Sequence, residues 1–200
     1  AFAIVAPRDG RWTRLSRTGG SGLLVLALRP FSRAGIDETL AARQFPVLAD
    51  FEAPFETLRW VHPSQLRTQT DIVRHGDRAA RVQLTTARFS GVSLFHFPGD
   101  WRGFRSLRFS VYNPREEPME LNCRIHDVHH RDHGNAFQDR YNQQFQLQQG
   151  WNDLTVSLDR VRAAPRGRTM DLARIEGFGL FVVQQPRPLT IYLDHVVLSE

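Results

Sequence analysis

The sequence has no lysine and a single cysteine, and all 26 of its basic residues are arginine. With Cys123 alone no disulfide can form within the chain, and its place in the alternating run at 121–125 predicts a small buried apolar residue. The arginines are spread along the chain and form no basic run, so the net charge of +5 does not indicate a nucleic-acid-binding arm. We therefore expect no nucleic acid among its partners.

Long hydrophobic runs are also missing. The most apolar segment, residues 22–28, is much shorter than the roughly 20 residues that a transmembrane helix needs, and Arg29 and Pro30 end it. We interpret residues 1–44 as an N-terminal extension or linker, the remnant of a membrane or targeting region through which an upstream part could attach the protein to a membrane. Residues 35–44 are predicted to form a short helix, with Asp37 and Glu38 in its first turn.

From residue 45 onward apolar and polar residues alternate, and turn residues recur about every ten positions, which is typical of short strands in a sandwich. No amphipathic stretch of ten or more residues separates the strands, which excludes a βαβ arrangement. Residues 150–152 are predicted to be a turn into a further strand, and residues 168–175 a single helical turn. The fold class predicted is all-β, with two antiparallel sheets packed face to face in one domain, residues 45–200. The predicted strands cover residues 47–52, 67–74, 80–86, 92–97, 104–112, 119–126, 141–147, 178–183 and 189–198.

The alternation also predicts one polar sheet face. If Leu107, Cys123 and Ile125 face the core, side chains with planar hydrogen-bonding groups face outward. Such a surface suits a polyhydroxylated ligand, whose hydroxyls need paired donors and acceptors, but any solvated sheet face has a similar composition, so both interpretations stay open. The outward set is Arg108, Ser110, Tyr112, Asn122, Arg124, His126, Asn142, Gln144 and Gln146.

Residues 125–142 contain four of the eight histidines and three aspartates, between two predicted strands. One interpretation is recognition of a ligand's hydroxyl groups, in which Asp127 and the pair Asp139 and Arg140 face each other across the loop. Another is an internal salt bridge that closes the loop. A third is transition-metal binding, although no spacing here imposes one coordination geometry. Recognition would use Asp127, His130, Asn135, Asp139, Arg140 and Asn142, and a metal would use Asp127, His129, His130, Asp132 and His133.

Catalysis would need more than this loop provides. Glycoside hydrolysis uses two carboxyl groups roughly 5–10 Å apart, for which Asp127 and Asp139 are the candidates, with His130 in a metal-dependent variant. No nucleophile elbow, phosphate loop or Ser-His-Asp order is present in the sequence. We therefore expect a non-catalytic domain. The aromatic residues that could stack on sugar rings are Trp60, Trp101, Tyr112 and Tyr141, whereas Trp101 and Trp151 fit packing positions at strand starts.

Three local sequences occur together: Asp50-Phe-Glu52 at the start of the domain, residues 98–109 in its middle and residues 191–198 at its end. Together they resemble the galactose-binding-like jelly roll of carbohydrate-binding modules, notably family 11, and of the complex I intermediate-associated domain. Residues 126–142, 150–152 and 164–171 also resemble the soluble domain of VanZ-like bacterial proteins. The resemblance covers residues 45–200.

The resemblance implies a jelly-roll sandwich that binds carbohydrate outside the cytoplasm. It also implies a structural Ca²⁺ that ties the first strand to the last, held by Asp50 or Glu52 together with Asp194. Two other functions stay open: a structural domain that binds a protein partner, and, less favoured, a metal-dependent enzyme that degrades polysaccharide. The ligand-binding residues expected are Arg124, His126, Asp127, His130, Asn135, Asp139, Arg140, Tyr141, Asn142, Gln144 and Tyr112.

Overall fold

A computed structural model describes residues 39–53, 56–61 and 65–200. These residues belong to one compact unit. Residues 1–38, which include most of the predicted N-terminal extension and the first part of its predicted helix, lie outside the described residues. Residues 39–44 are helical, as predicted. No helix in the described part of the chain is long and apolar enough to cross a membrane.

The described residues form two antiparallel sheets, which confirms the predicted sandwich. The order in the first sheet is β3-β4-β11-β6-β9, with β1 also paired to β11, and the order in the second sheet is β2-β5-β10-β7-β8. The six-stranded sheet consists of β1 (Val47–Ala49), β3 (Leu66–Gln69), β4 (Ala79–Leu84), β6 (Ser106–Asn113), β9 (Gly150–Ser157) and β11 (Leu189–Ser199). The five-stranded sheet consists of β2 (Trp60–Val61), β5 (Phe89–Leu94), β7 (Met119–Asp127), β8 (Tyr141–Leu147) and β10 (Ile175–Val183).

The core lies between the two sheets and is built by alternate residues of each strand. In β7 the buried residues include Leu121, Cys123 and Ile125, as the period of two predicts. Phe109 of the six-stranded sheet meets Phe178 of the five-stranded sheet edge to face, with their ring centroids 5.3 Å apart. Burying a side chain of this kind stabilises the fold by roughly 1.5–3 kcal/mol. Burial also raises the pKa of the Cys123 thiol well above its usual range, so this thiol is not a nucleophile at neutral pH.

The single polar face predicted from the alternation is wrong. Arg108, Ser110 and Tyr112 lie on β6, in the six-stranded sheet, whereas the outward residues of β7 and β8 belong to the five-stranded sheet. The predicted set is therefore divided between two opposite outer faces of the sandwich. A period of two separates inward from outward side chains, but it does not tell which sheet a strand joins.

Three local predictions also differ from the structure. Residues 168–175 form a connection with a turn, in which Arg174 N–H donates to Asp171 O at 3.0 Å, instead of a helical turn. A short helix, Leu158–Arg162, lies earlier, because Leu158 and Val161 are one turn apart and both bury their side chains. The predicted turn at residues 150–152 is the first part of β9.

Candidate functional site

A groove of about 280 Å³ opens on the outer face of the five-stranded sheet. This volume is near the lower end for ligand pockets in proteins, about 300 Å³. Strands β5, β10 and β7 cross it, and Arg140, which precedes β8, reaches it from the side. The groove is lined by Phe89, Gly91, Val92, Ser93, Arg124, Arg140 and Phe181.

Arg124 lies flat across the groove because its neighbour in β10 is a glycine. Ser93, Gly179 and Arg124 occupy one row across β5, β10 and β7, and Arg124 Nη2 donates to Ser93 Oγ at 3.1 Å. A Cβ atom at Gly179 would lie 2.8 Å from Arg124 Nε and 2.8 Å from Ser93 Oγ. Any larger residue would therefore displace the guanidinium, which Ser93 now holds in one orientation.

Arg140 contributes the second guanidinium of the groove. Its Nε donates to Asn142 Oδ1 at 2.9 Å, and its guanidinium carbon lies 5.3 Å from the ring centroid of Phe137. Burial lowers the pKa of Arg124 and of Arg140, and the positive charge of Arg124 lowers that of Arg140 further. Among the described residues no carboxylate lies within salt-bridge distance of either arginine.

The apolar part of the groove is an aromatic pair. Phe181 pairs with Gly91 across β10 and β5, and Phe89 lies two residues before Gly91. The rings of Phe89 and Phe181 meet edge to face with centroids 6.0 Å apart, and 61% of Phe89 is exposed. Exposed aromatic rings beside hydrogen-bond donors suit a ligand with both apolar faces and polar edges.

The histidine-rich loop is closed by Arg168, which binds two aspartates at once. Its Nη1 and Nη2 donate to the Asp127 carboxylate at 2.6 and 2.9 Å, and its Nε and Nη2 donate to the Asp139 carboxylate at 2.6 and 2.7 Å. Asp127 also accepts the backbone N–H of Asp171 at 2.7 Å. The internal salt bridge that was one of the interpretations is therefore present, with Arg168 as the partner instead of Arg140.

This network removes both aspartates from direct ligand binding. Asp127 and Asp139 are buried, and each of their four carboxylate oxygens accepts a hydrogen bond. Burial raises the pKa of Asp127, but hydrogen bonds from Arg168 and Asp171 outweigh it, and the Arg168 hydrogen bonds lower that of Asp139. Neither is a general acid at neutral pH, and one guanidinium fills the space between them. The less favoured alternative, in which Asp127 and Asp139 form a hydrolytic carboxylate pair, is therefore not supported.

The histidines of the loop bind one another and their neighbours. His130 is buried with its Nδ1 3.4 Å from Asp139 Oδ2, and His133 Nδ1 lies 2.9 Å from His129 O. His129 Nε2 lies 2.8 Å from a guanidinium nitrogen of Arg174. Within the described residues no group of three or more His, Cys, Asp or Glu could hold a metal ion. The interpretation of Asp127, His129, His130, Asp132 and His133 as a transition-metal site is therefore not supported by the described residues.

The other ligand-binding residues predicted on β7, β8 and the loop have different surroundings. Asn142 and Gln144 face outward on β8 beside Arg124 and Asn122, as predicted. His126 also lies on this face, but it is buried beneath the loop. Tyr141 is buried, with its hydroxyl donating to Gln143 Oε1, so its predicted role is wrong. Asn135 is an exposed loop residue at φ 55° that does not line the groove, and its role stays a prediction.

The remaining aromatic residues lie elsewhere. Tyr112 is on the outer face of the six-stranded sheet, with its ring 5.4 Å from Trp151 and 6.0 Å from Tyr192. It is therefore separated from the other predicted ligand-binding residues. Trp60 and Trp101 are buried, so their predicted stacking on sugar rings is wrong, and the alternative interpretation of Trp101 as a packing residue is confirmed.

Two functional candidates of the groove are absent from the sequence-based set, Phe89 and Phe181. Phe89 lies just before the predicted strand of residues 92–97, in residues that the structure shows to be the start of β5. Phe181 carried a usable signal, because Phe178, Leu180 and Val182 alternate inward and leave Phe181 facing outward. An outward phenylalanine next to an outward glycine is unusual on a solvated sheet face and indicates a binding surface.

His126 makes the stability of this region dependent on pH. Burial, followed by the nearby charges of His130, Arg124 and Arg140, lowers the pKa of His126 to about 4. Its pKa in the unfolded chain is about 6.5, so between pH 6.5 and 4 the unfolded chain binds the proton more readily. We expect this residue to lower the free energy of unfolding by up to about 3 kcal/mol as the pH falls through that window.

Urea denaturation of the wild type and of His126→Phe at pH 7, 5.5 and 4 measures this contribution. The phenylalanine keeps a ring against Phe95 and His130 but does not titrate. Every other titrating group is shared, so the stability difference between the two proteins should change with pH by the expected amount. A difference that stays constant from pH 7 to pH 4 would rule out a buried neutral His126.

Two of the residues predicted to hold calcium, Glu52 and Asp194, bind backbone N–H groups of the turn of residues 74–78. Glu52 Oε1 accepts two backbone N–H groups of this turn at 2.8 and 2.9 Å, and Asp194 Oδ2 accepts two others at 2.7 and 3.0 Å. Asp50 Oδ1 accepts the N–H of Glu52 at 3.3 Å. Asp194 is fully buried, its Oδ1 has no hydrogen-bond partner, and burial raises its pKa. The donors present are hard oxygen atoms, the type that Ca²⁺ prefers.

No family model matches this chain, and no curated protein matches it. Several solved structures are similar. The family 11 carbohydrate-binding module from Clostridium thermocellum, in complex with a β-1,3-1,4-mixed-linked tetrasaccharide, is 16% identical with a TM-score of 0.53 and covers 76% of this chain and 94% of its own. An agarase, AgWH50C, is 13% identical with a TM-score of 0.56, over 77% of this chain and 26% of its own. The family 30 carbohydrate-binding module of the cellulase Cel9D-Cel44B of Clostridium thermocellum is 14% identical with a TM-score of 0.50, over 68% and 82%.

These likenesses establish the fold. The two antiparallel sheets form the jelly-roll sandwich of carbohydrate-binding modules, as the resemblance implied. The resemblance to VanZ-like proteins and to the complex I intermediate-associated domain is not tested by these comparisons and stays a prediction.

Proposed function

We propose that this chain binds carbohydrate, without catalysing a reaction, in the groove on the outer face of the five-stranded sheet. One observation carries the proposal: a phenylalanine pair, of which Phe89 is exposed, and two oriented guanidinium groups share a single groove. Sugar rings have apolar C–H faces that pack on aromatic rings and hydroxyl edges that accept hydrogen bonds. The groove offers both kinds of contact to one ligand.

The polar contacts are fixed before a ligand arrives. Arg124 is held by Ser93 across Gly179, and Arg140 is held by Asn142, so neither loses much side-chain freedom on binding. Asn142 and Arg124 occupy one row across β8 and β7, and Gln144 lies two residues further along β8. An extended saccharide could therefore continue from the phenylalanine pair over Arg124 toward β8.

The similar structures support this proposal without deciding it. The family 11 module that shares this fold is described as bound to a tetrasaccharide, and this chain covers 94% of its length. At 16% identity the likeness concerns the fold, so the ligand of this chain has to come from its own groove. Because polysaccharides are met mainly outside the cytoplasm, we also propose an extracytoplasmic location.

A protein partner is the second candidate function. Phe137 is 66% exposed at the edge of the loop, next to Arg140, and Phe89 is similarly exposed. Exposed aromatic residues with an arginine are typical of protein interfaces as well as of sugar sites. A failure to bind any glycan would favour this function.

A glycan-array screen of the full chain tests the proposed function. We expect binding to at least one saccharide, and a loss of affinity of about tenfold or more in Phe181→Ala, since truncating an aromatic residue that the ligand covers costs about 2 kcal/mol. Trp151→Ala, on the outer face of the six-stranded sheet, is the matched control and should bind like the wild type. Equal losses in both variants, or binding to no glycan, would contradict the proposal.

We further propose that Ca²⁺ binds at the turn of residues 74–78, with Glu52 and Asp194 as carboxylate ligands. The ion would satisfy the buried Asp194 Oδ1 and join the start of the domain to its last strand. At a free concentration 100 times its Kd, Ca²⁺ should add about 2.7 kcal/mol to the free energy of unfolding. For a domain of this size that raises Tm by roughly 5–10 °C.

Thermal unfolding in Ca²⁺ and in EDTA measures this effect. Asp194→Asn keeps the shape of the side chain and removes its charge, and it should abolish the calcium-dependent part of Tm. Mg²⁺ should substitute poorly, because it demands an octahedral shell and keeps its waters. The same Tm in Ca²⁺ and EDTA for the wild type would contradict the site.

A further inference from the structure

The groove contains two positive charges that the described residues leave without a counter-ion. Arg124 and Arg140 both line it, both are half-buried, and their hydrogen bonds go to neutral groups, Ser93 Oγ and Asn142 Oδ1. The carboxylates of the neighbouring loop, Asp127 and Asp139, are committed to Arg168. Half-buried charges are ordinarily paired, so this arrangement leaves an anion site open.

The other nearby acidic side chain on this face is also engaged. Glu120 lies four residues before Arg124 on β7, and it accepts a hydrogen bond from Gln144 Nε2 at 2.7 Å. Burial lowers the pKa of both arginines, and the charge of Arg124 lowers that of Arg140 further; one negative group between them would offset these effects. A neutral hydroxyl would offset neither.

We propose that the groove takes an anionic saccharide, with a carboxylate or a sulfate ester of the sugar bound between Arg124 and Arg140. The inference rests on the carbohydrate-binding function proposed above. Guanidinium groups bind both anions with paired N–H donors, and uronic acids and sulfated sugars present them on a ring. The phenylalanine pair, Phe89 and Phe181, packs against the C–H face of that ring or of the next one.

Matched saccharides that differ only in charge give the test. Calorimetry with the full chain uses trigalacturonate and its methyl ester, and a galactose oligosaccharide with and without a sulfate ester. We expect at least one acidic form to bind 30-fold or more tightly than its neutral counterpart at 50 mM NaCl. The preference should weaken as salt screens the charge, but not vanish, because the site is half-buried.

The variants Arg124→Gln and Arg140→Gln should each reduce the preference for the acidic form to less than fivefold. Arg108→Gln removes the same charge from the outer face of the six-stranded sheet and should leave the preference unchanged. Unfolding temperatures identify a variant that does not fold. Arg124 lies across the strands of the sheet, whereas Arg140 lies at the edge of the loop. If Arg124→Gln fails to fold, Arg140→Gln therefore still provides the test.

Each outcome has a distinct meaning. Tighter or equal binding of the neutral forms would overturn this inference and leave the carbohydrate-binding function in place. Binding of none of these saccharides would overturn this inference, whereas only a failure to bind any glycan on the array would overturn the carbohydrate-binding function. Poly-L-glutamate supplies the charge without the rings. If it binds as tightly as the acidic saccharides, the groove recognises charge alone and the inference is wrong.

Discussion

Replacing Arg168 by glutamine is expected to lower the free energy of unfolding by about 3–5 kcal/mol. This is the usual loss when one partner of a buried ion pair is removed and an uncompensated charge remains. Here two carboxylates would remain: Asp127 is fully buried, Asp139 nearly so, and only 18% of the Arg168 side chain is exposed. Urea denaturation at neutral pH measures the change.

Two further variants make this expectation specific. Arg166→Gln removes an exposed arginine two residues away and should change stability by less than 0.5 kcal/mol, as surface substitutions usually do. Adding Asp127→Asn to Arg168→Gln should recover part of the loss, because it removes one of the stranded charges. A loss below 1 kcal/mol for Arg168→Gln would mean that the network does not stabilise the fold.

The Arg168 network also matters for the groove. It joins the end of β7, the loop before β8 and the connection before β10, through Asp127, Asp139 and Asp171. Arg140 directly follows Asp139. The contacts that close the loop therefore also fix the backbone position from which the Arg140 side chain extends into the groove. The buried ion pairs therefore position the site without touching the ligand.

The second large effect is expected at Gly91. A Cβ atom there would lie 2.0 Å from the backbone oxygen of Leu180 and 2.6 Å from Phe181 Cα, distances at which backbone has to move. Gly91→Ala should therefore separate β5 from β10 locally and lower the free energy of unfolding by about 2–3 kcal/mol, as overpacking does. The gain from restricting the unfolded chain, about 0.4–1 kcal/mol, offsets only part of that.

Gly179→Ala is the matched comparison, because the added methyl meets side chains instead of backbone. Arg124 Nε and Ser93 Oγ can both move away by rotating, so we expect less than half the loss of Gly91→Ala. The displaced Arg124 should nevertheless weaken saccharide binding. Equal stability of Gly91→Ala and the wild type, or a larger loss in Gly179→Ala, would contradict the close approach of β5 and β10.

The strands were predictable because the core imposes a period of two. β8 covers the predicted residues 141–147, and most other strands differ from the prediction at their ends. β1 and β3 are shorter than predicted, since residues beyond Ala49 and Gln69 enter loops near the turn of residues 74–78. What alternation could not supply was the partition into sheets, because the partner of a strand such as β6 is set by contacts far along the chain.

Site residues could be predicted only where the local sequence pattern determines which way their side chains face. Arg124 and Asn142 follow from alternation on β7 and β8. The role of Asp127 depended on Arg168, which is 41 residues away and lies in a segment that was predicted to be helical. Phe181 becomes part of a site only when β5 lies beside β10, a pairing that no local pattern specifies.

The most direct test of the groove as the binding site is an NMR titration of the full chain with a saccharide that it binds. We expect chemical-shift changes at the amides of Gly91 and Gly179 and at the side-chain Nε–Hε groups of Arg124 and Arg140. The indole N–H of Trp151, on the opposite outer face, should stay unchanged. Shifts concentrated at Trp151, with the groove signals unaffected, would place the ligand on the six-stranded sheet and contradict the proposed site.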